Sequence, residues 1–250
     1  MINSEEFKIE DSKWDKSNVE FSNYLKKLGY AYKDKIESGE LTIENVPARM
    51  ISDGNCYVGD AKLANTLYKY ELYKKVMNLA GDIAEVGIFR GDSFLFWAKL
   101  IKLFEPYNLT QVYGFDWFQG MAPSQNDDQF QQGKYCGEYE HLKEIIEWQS
   151  LDNIAIIQNM DVTVGLKKFV EERPFLRFKL LYIDCGIEEV MEASYKYLYP
   201  RLVKGGILLM DHFNYKVSPQ ESNIVEKYIG DNIVYQMPFA RQPSGYIIKQ

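Results

Sequence analysis

The chain has 250 residues, enough for one large α/β domain to bury a sizeable core without staples. Its composition, 46% hydrophobic and 26% charged, is that of a globular protein, and no apolar run is long enough to cross a bilayer. A net charge of −7, with no Lys/Arg cluster interleaved with aromatics, argues against a nucleic-acid partner, and three separated cysteines without a CxxC pair (Cys56, Cys136, Cys185) indicate neither a disulfide framework nor a zinc knuckle. The acidic, polar N-terminus lacks the basic start and apolar stretch of a secretory signal, so the cytoplasm is the expected compartment.

In chain order, residues 1–59 carry no strong strand signal, and 18–35 places apolar and aromatic residues at helical spacing, so an N-terminal helical cap is predicted. A helix over 60–79 follows, with Leu63, Leu67, Tyr70 and Val76 near one face and a stop at Ala80-Gly81. From residue 82 the pattern changes to short apolar runs alternating with amphipathic stretches. Strands are predicted at 82–86, 110–115, 153–158, 179–183 and 206–210, and helices at 93–104, 139–148, 164–172, 191–202 and 221–229. Such alternation argues for a parallel sheet covered on both faces. At the end, 232–237 and 245–249 flank 238–244 as a hairpin that closes the sheet with an antiparallel strand. The predicted fold is α/β and Rossmann-like: a mostly parallel seven-stranded sheet in the strand order of class I methyltransferases, occupying residues 60–250 behind a cap over 1–59.

In an open α/β sheet the ligand crevice lies beyond the carboxyl ends of the strands. The first strand runs into Glu85-Val86-Gly87-Ile88-Phe89-Arg90-Gly91-Asp92-Ser93. This turn has G-x-x-x-G rather than the G-x-G-x-x-G of a dinucleotide fold, and the acid before it would sit badly beside a pyrophosphate. Glu85 makes better sense facing the cationic amino-acid end of S-adenosyl-L-methionine, with Gly87 letting the backbone approach the ligand and Gly91 supporting tight entry to the helix. An ordinary β-turn-α connection is the alternative. Asp116, at the end of the second strand and next to Trp117, is placed to accept hydrogen bonds from vicinal ribose hydroxyls. Asn159, Met160 and Asp161, after the third strand, present polar groups beside a thioether for the adenine, and Asp161 is equally suited to cap the next helix.

These residues resemble the TylF-type (macrocin) O-methyltransferases. The GVWRGG turn of that family is similar to Gly87-Ile88-Phe89-Arg90-Gly91-Asp92, its DSFxGxP stretch to Asp116-Trp117-Phe118-Gln119-Gly120-Met121 with Pro123 displaced by one, and its LYPxLxxGG turn to 195–206 (YKYLYPRLVKGG). The resemblance implies an S-adenosyl-L-methionine-dependent methyltransferase that acts on sugar hydroxyls of small molecules. It extends the expected cofactor site to Arg49 and Met50. In metal-dependent members an IDGD segment and a DD pair supply carboxylates for a divalent ion and the base. Here these become Ile183-Asp184-Cys185-Gly186 and Met210-Asp211-His212. Asp184 and Asp211 alone serve magnesium poorly, and a set completed by histidine suits a transition metal better, so no metal is expected.

Methyl transfer from a sulfonium requires alignment of acceptor and methyl, and a group to take the acceptor proton. His212, which titrates near neutrality, is the expected general base, oriented by Asp211 or Asp184. His141, on a helix, reads as a surface or packing residue. The polar stretch 122–138 is a candidate lid, with a plain surface connection as its alternative, and Lys216 and Arg241 are candidates for an anionic acceptor. The expected partner is a small-molecule acceptor, with no nucleic acid and no membrane, and a homo-oligomer is compatible with this reading. Three other readings stand beside it: a metal-requiring sugar methyltransferase, a catalytically silent cofactor-binding module, and a nicotinamide dehydrogenase.

Overall fold

A computed structural model describes residues 12–42, 45–122, 133–215 and 219–250. The chain divides into two compact units, Met1–Leu63 and Ala64–Gln250. The first holds α1 (Ser12–Glu37), α2 (Asn45–Ser52) and a 3-10 turn at Gly54–Cys56. Within it the Tyr24 hydroxyl donates to the Cys56 carbonyl at 2.8 Å, and the hydroxyls of Tyr32 and Tyr57 meet.

The second unit contains most of α3 (Asp60–Val76), followed by β1 (Asp82–Val86), α4 (Asp92–Phe104), β2 (Val112–Asp116), α5 (Tyr139–Trp148) and β3 (Ala155–Asn159). It continues with α6 (Val162–Glu171), β4 (Phe178–Ile183), α7 (Glu188–Tyr197), β5 (Leu202–Met210), α8 (Gln220–Ile229) and β6 (Gly245–Ile248). The sheet order is β3-β2-β1-β4-β5-β6; the first five strands pair in parallel and β6 runs antiparallel to β5. Strand order reverses between β1 and β4, which places the ligand crevice at their carboxyl ends.

Among the described residues six strands form, where seven were expected. The segment 232–237 contributes a single bridge, Tyr235 to Tyr246, although Val234 and Met237 pack against the core; Ile233 is 69% exposed. The apolar face expected for α3 is also displaced. Val76 is buried as expected and Tyr70 half-buried, but Leu63 and Leu67 are exposed, and the helix buries Tyr68, Lys69, Leu72 and Tyr73 beside Val76, a face turned so that Lys69 enters the interior.

Strand pleating divides the core into two layers. Ile83, Val112, Leu180, Tyr182, Ile207 and Leu209 pack on one face of the sheet with α3, α4 and α5. Their neighbours Ala84, Phe115, Leu181, Ile183, Leu208 and Met210 pack on the other with α6, α7 and α8. Each fully buried aliphatic side chain contributes about 1.5–3 kcal/mol, so both layers hold the strand tips rigidly enough to carry a site. Among the described residues no helix is long and apolar enough to cross a membrane.

Candidate active site

The turn after β1 is built from unusual backbone. Gly87, Phe89 and Gly91 all have positive φ (86°, 49° and 85°), and Gly91 is the N-cap of α4. Packing within the sheet adds its own need for glycine at 87. A Cβ there would lie 2.1 Å from the Asp184 carbonyl oxygen, so the bare backbone serves to pack β1 against the tip of β4. A Cβ at Gly91 would likewise meet Leu142 at 2.4 Å.

Asp116 fastens this turn to the next. One carboxylate oxygen accepts the Phe89 N–H at 2.9 Å and the other the Phe118 N–H at 2.8 Å, and Phe118 is a second non-glycine residue at positive φ, 59°. Burial raises the Asp116 carboxyl, and the backbone N–H groups pull it back. Asn159 stands beside Asp116 in the β2–β3 register, and the Met160 N–H donates to the Asp116 carbonyl at 2.9 Å. Asp161 caps α6 through the Thr163 N–H at 2.9 Å.

Behind the turn lies a buried polar cluster. Glu85, 1% exposed, accepts the Trp97 indole N–H at 2.8 Å. Burial pushes its carboxyl well above the usual range, and the Lys69 ammonium opposes the shift. Lys69, itself buried, donates to the Ser93 hydroxyl and lies 5.1 Å from the centroid of the Tyr182 ring. The hydroxyl of that ring contacts both Asp184 (2.9 Å) and Asp211 (2.8 Å), and the Gln242 amide donates to the second Asp211 oxygen at 2.8 Å. Tyrosine has one hydroxyl proton, so the two carboxyl groups compete for it as acceptors. Asp184 is pushed up to about 7 by burial first and by Asp211 second, against the pull of Lys69, His212 and Tyr182, and burial raises Asp211 as well. The pair titrates as a unit.

Asp211 forms part of the wall of a cavity of about 210 Å³, together with Asn214, Tyr215, Tyr235, Arg241 and Gln242. Arg241 stacks over the Tyr215 ring at 5.0 Å. His212 is held from behind: its backbone N–H donates at 2.7 Å to Glu221, which is fully buried and also accepts from the Tyr195 hydroxyl at 3.1 Å. The His212 ring lies 5.9 Å from that of Tyr215.

The structure thus gathers Glu85, Ser93, Asp184 and Asp211 in one cluster, with His212 adjoining Asp211. Gly87, Phe89, Gly91, Asp116 and Asn159 form a second group around the two turns. The remaining expected site residues have local partners. The Trp117 indole donates to the Gly120 carbonyl within its own turn, exposed Arg90 stacks on Phe89 at 4.9 Å, and Met160 is folded against Gly165. Met50 lies on α2 of the first unit, 38% exposed. His141 is exposed and meets Glu144. The side chain of Arg49, residue Lys216 and most of the expected lid, 123–132, lie outside the described residues.

Sequence reasoning missed Lys69, Trp97, Tyr182, Glu221 and Gln242. Two of them carried a signal. Lys69 is a lysine whose neighbours at 68, 72 and 73 are all apolar, and Tyr182 is a hydroxyl inside the otherwise aliphatic run Leu180-Leu181-Tyr182-Ile183.

A divalent cation does not fit this set. Three of the four oxygens of Asp184 and Asp211 accept protein hydrogen bonds, and the Lys69 ammonium occupies the same cluster. Among the described residues no group of three His, Cys, Asp or Glu is arranged to hold a metal ion. A cationic nucleoside does fit, because acids outnumber cations at the strand tips.

A parallel sheet that reverses at β1 and β4, an antiparallel strand beyond β5 and acids at the tips of β1 and β2 together define a class I methyltransferase. The comparisons place it more narrowly. The profile of the macrocin-O-methyltransferase (TylF) family matches residues 33–237, so the chain belongs to that family and is an S-adenosyl-L-methionine-dependent methyltransferase. CalS11, a calicheamicin methyltransferase, is similar in fold, with a TM-score of 0.77 at 21% identity over 92% of this chain and 91% of its own. Its apo form, described as TDP-rhamnose 3'-O-methyltransferase, gives a TM-score of 0.71 at 22% identity over 92% and 93%. The O-methyltransferase NovP gives 0.63 at 16% identity over 75% and 80%. No curated protein shows significant similarity in sequence.

Proposed function

We propose that this enzyme methylates a hydroxyl of a small molecule, a sugar or a glycoconjugate precursor, without an obligatory metal ion. The observation that carries the reading is the Tyr182-bridged pair of Asp184 and Asp211, whose second member fronts a cavity with tyrosine, amide and guanidinium walls suited to a polar ring. CalS11 acts on TDP-rhamnose, which supports a sugar acceptor.

S-adenosyl-L-methionine supplies an activated methyl on a sulfonium. In this reading Asp116 grips the ribose, Asn159, Met160 and Asp161 border the adenine, and Glu85 takes the ammonium end. Gly87, Phe89, Arg90, Gly91 and Ser93 shape the turn between them, and Trp117 braces the second turn. Bound there, the cofactor would offer its methyl to an acceptor oxygen in line with sulfur, which would leave with the bonding electron pair. The hydroxyl proton passes to His212, with Asp211 and Asp184 orienting the imidazole. A cytoplasmic enzyme with no nucleic-acid or membrane partner is in keeping with the net charge of −7 and three free cysteines.

The test is mass-spectrometric detection of methyl transfer to a panel of nucleoside-diphosphate sugars and simple glycosides, with calorimetry of S-adenosylhomocysteine. Binding together with transfer to at least one sugar supports the proposal. Binding without transfer across the panel would favour a silent cofactor-binding module, and no binding at all would sink the cofactor site.

A further inference from the structure

Glu85, Asp184 and Asp211 come from the tips of β1, β4 and β5; Glu85 and Asp211 are buried and Asp184 is half-buried. Crowded acids of this kind are tolerated only where cations or donors compensate them. Lys69 is the cation common to all three, while Arg241 acts on Asp211 alone from the cavity side. Lys69 reaches in from α3, is 3% exposed, and is fixed at two points, the Ser93 hydroxyl at the start of α4 and the face of the Tyr182 ring. Burying an ammonium with one hydrogen bond is costly in itself, and a surface lysine on this helix would serve folding better. Its position is explained by the acids: Lys69 opposes the upward shift of Glu85, of Asp184 and of Asp211 alike. Tyr182 extends that influence, since the ring facing Lys69 carries the hydroxyl that joins Asp184 to Asp211.

We propose that Lys69 is the built-in cation of the methyl-transfer site, a positioning residue whose fixed charge holds the Tyr182-bridged carboxyl pair together in place of a metal ion. The inference rests on the methyl-transfer reading above. It also accounts for the residues that depart from a metal-binding pattern: with Gly186 and His212 where further acids would stand, the negative charge of the cluster is low enough for one ammonium, Tyr182 and Gln242 to satisfy.

The experiment combines metal binding with kinetics. Mn²⁺ titration followed by electron paramagnetic resonance should detect no specific site on the wild-type enzyme, and turnover should survive a chelator. Lys69→Met should lower kcat about 100-fold, with the acceptor KM and the S-adenosylhomocysteine Kd within about 3-fold of wild type. Lys69→Arg should recover about 10-fold of the loss, since it restores charge with a different shape. Tight Mn²⁺ binding by the wild type, or turnover abolished by chelation and restored by Mg²⁺, overturns the proposal, and so does a Lys69→Met enzyme of normal kcat. Should Lys69→Met not fold, as judged by its thermal melt, Lys69→Arg and the wild-type Mn²⁺ titration still decide. If the wild type binds S-adenosylhomocysteine but methylates no sugar, the acceptor assignment fails while the Mn²⁺ arm continues to test Lys69.

Discussion

Glu221 should control the pH dependence of stability. It is fully buried on the first turn of α8, and burial pushes its carboxyl from an ordinary 4.5 up to about 8, against the pull of the His212 N–H and the Tyr195 hydroxyl. An acid whose folded-state pKa is raised contributes stability that is complete below its unfolded value and is lost as pH climbs through the folded one. For Glu221 that window runs from 4.5 to about 8. At about 1.4 kcal/mol per pH unit the loss is on the order of 5 kcal/mol, comparable with the whole stability of a small domain. Glu221→Gln stays neutral throughout. Its amide oxygen can accept from the His212 N–H, and its NH₂ can donate to the Tyr195 oxygen. Urea unfolding of both proteins at pH 5, 6, 7 and 8 should therefore give similar midpoints at the acid end and a growing advantage for Glu221→Gln towards pH 8. Asp184 titrates in both proteins, so their difference isolates Glu221. Parallel curves across that range would refute the reasoning.

Other expectations follow from the same geometry. Gly87→Ala forces a side chain into a left-handed backbone and against the Asp184 carbonyl, and should cost at least about 2 kcal/mol in chemical denaturation while abolishing S-adenosylhomocysteine binding. Asp116→Ala removes the acceptor that joins the two turns as well as the proposed ribose grip, so calorimetry should show affinity lowered about 100-fold, with Asp116→Asn intermediate. Turnover should rise as pH passes about 7, where the Asp184–Asp211 pair gives up its shared proton, and Asp211→Asn should remove that limb from the pH–rate profile. His212→Asn should lose turnover with cofactor affinity retained; near-normal turnover would take His212 out of the mechanism.

Much of the scaffold was legible because periodicity and strand-end chemistry are local. The alternation of apolar runs from residue 82 to 229 placed five parallel strands and their helices, with ends shifted by a few residues: β5 begins at Leu202 rather than 206. Glu85, Asp116, Asp184 and Asp211 could be singled out because a carboxylate at a strand tip has few structural uses. The misses have physical causes. The segment 232–237 alternates like a strand, yet whether it pairs beyond one bridge depends on tertiary contacts that sequence does not display. The face of α3 was misjudged because a lysine counts as polar in any periodic pattern, whereas three acids more than ten residues away draw this one inside. Gln242 belongs to a loop that reaches Asp211 only after the sheet has folded, a contact across 31 positions that leaves no local trace.

The contact of one tyrosine hydroxyl with two carboxyl groups has a consequence for redesign. Placing aspartate at 186 and 212 to create a magnesium enzyme would add two negative charges beside a group already sharing a single proton, with an ammonium still lodged among them. Conversion would therefore require Lys69 and Tyr182 to change together with the new acids, so that the path between the two chemistries crosses intermediates that bind neither proton nor metal well.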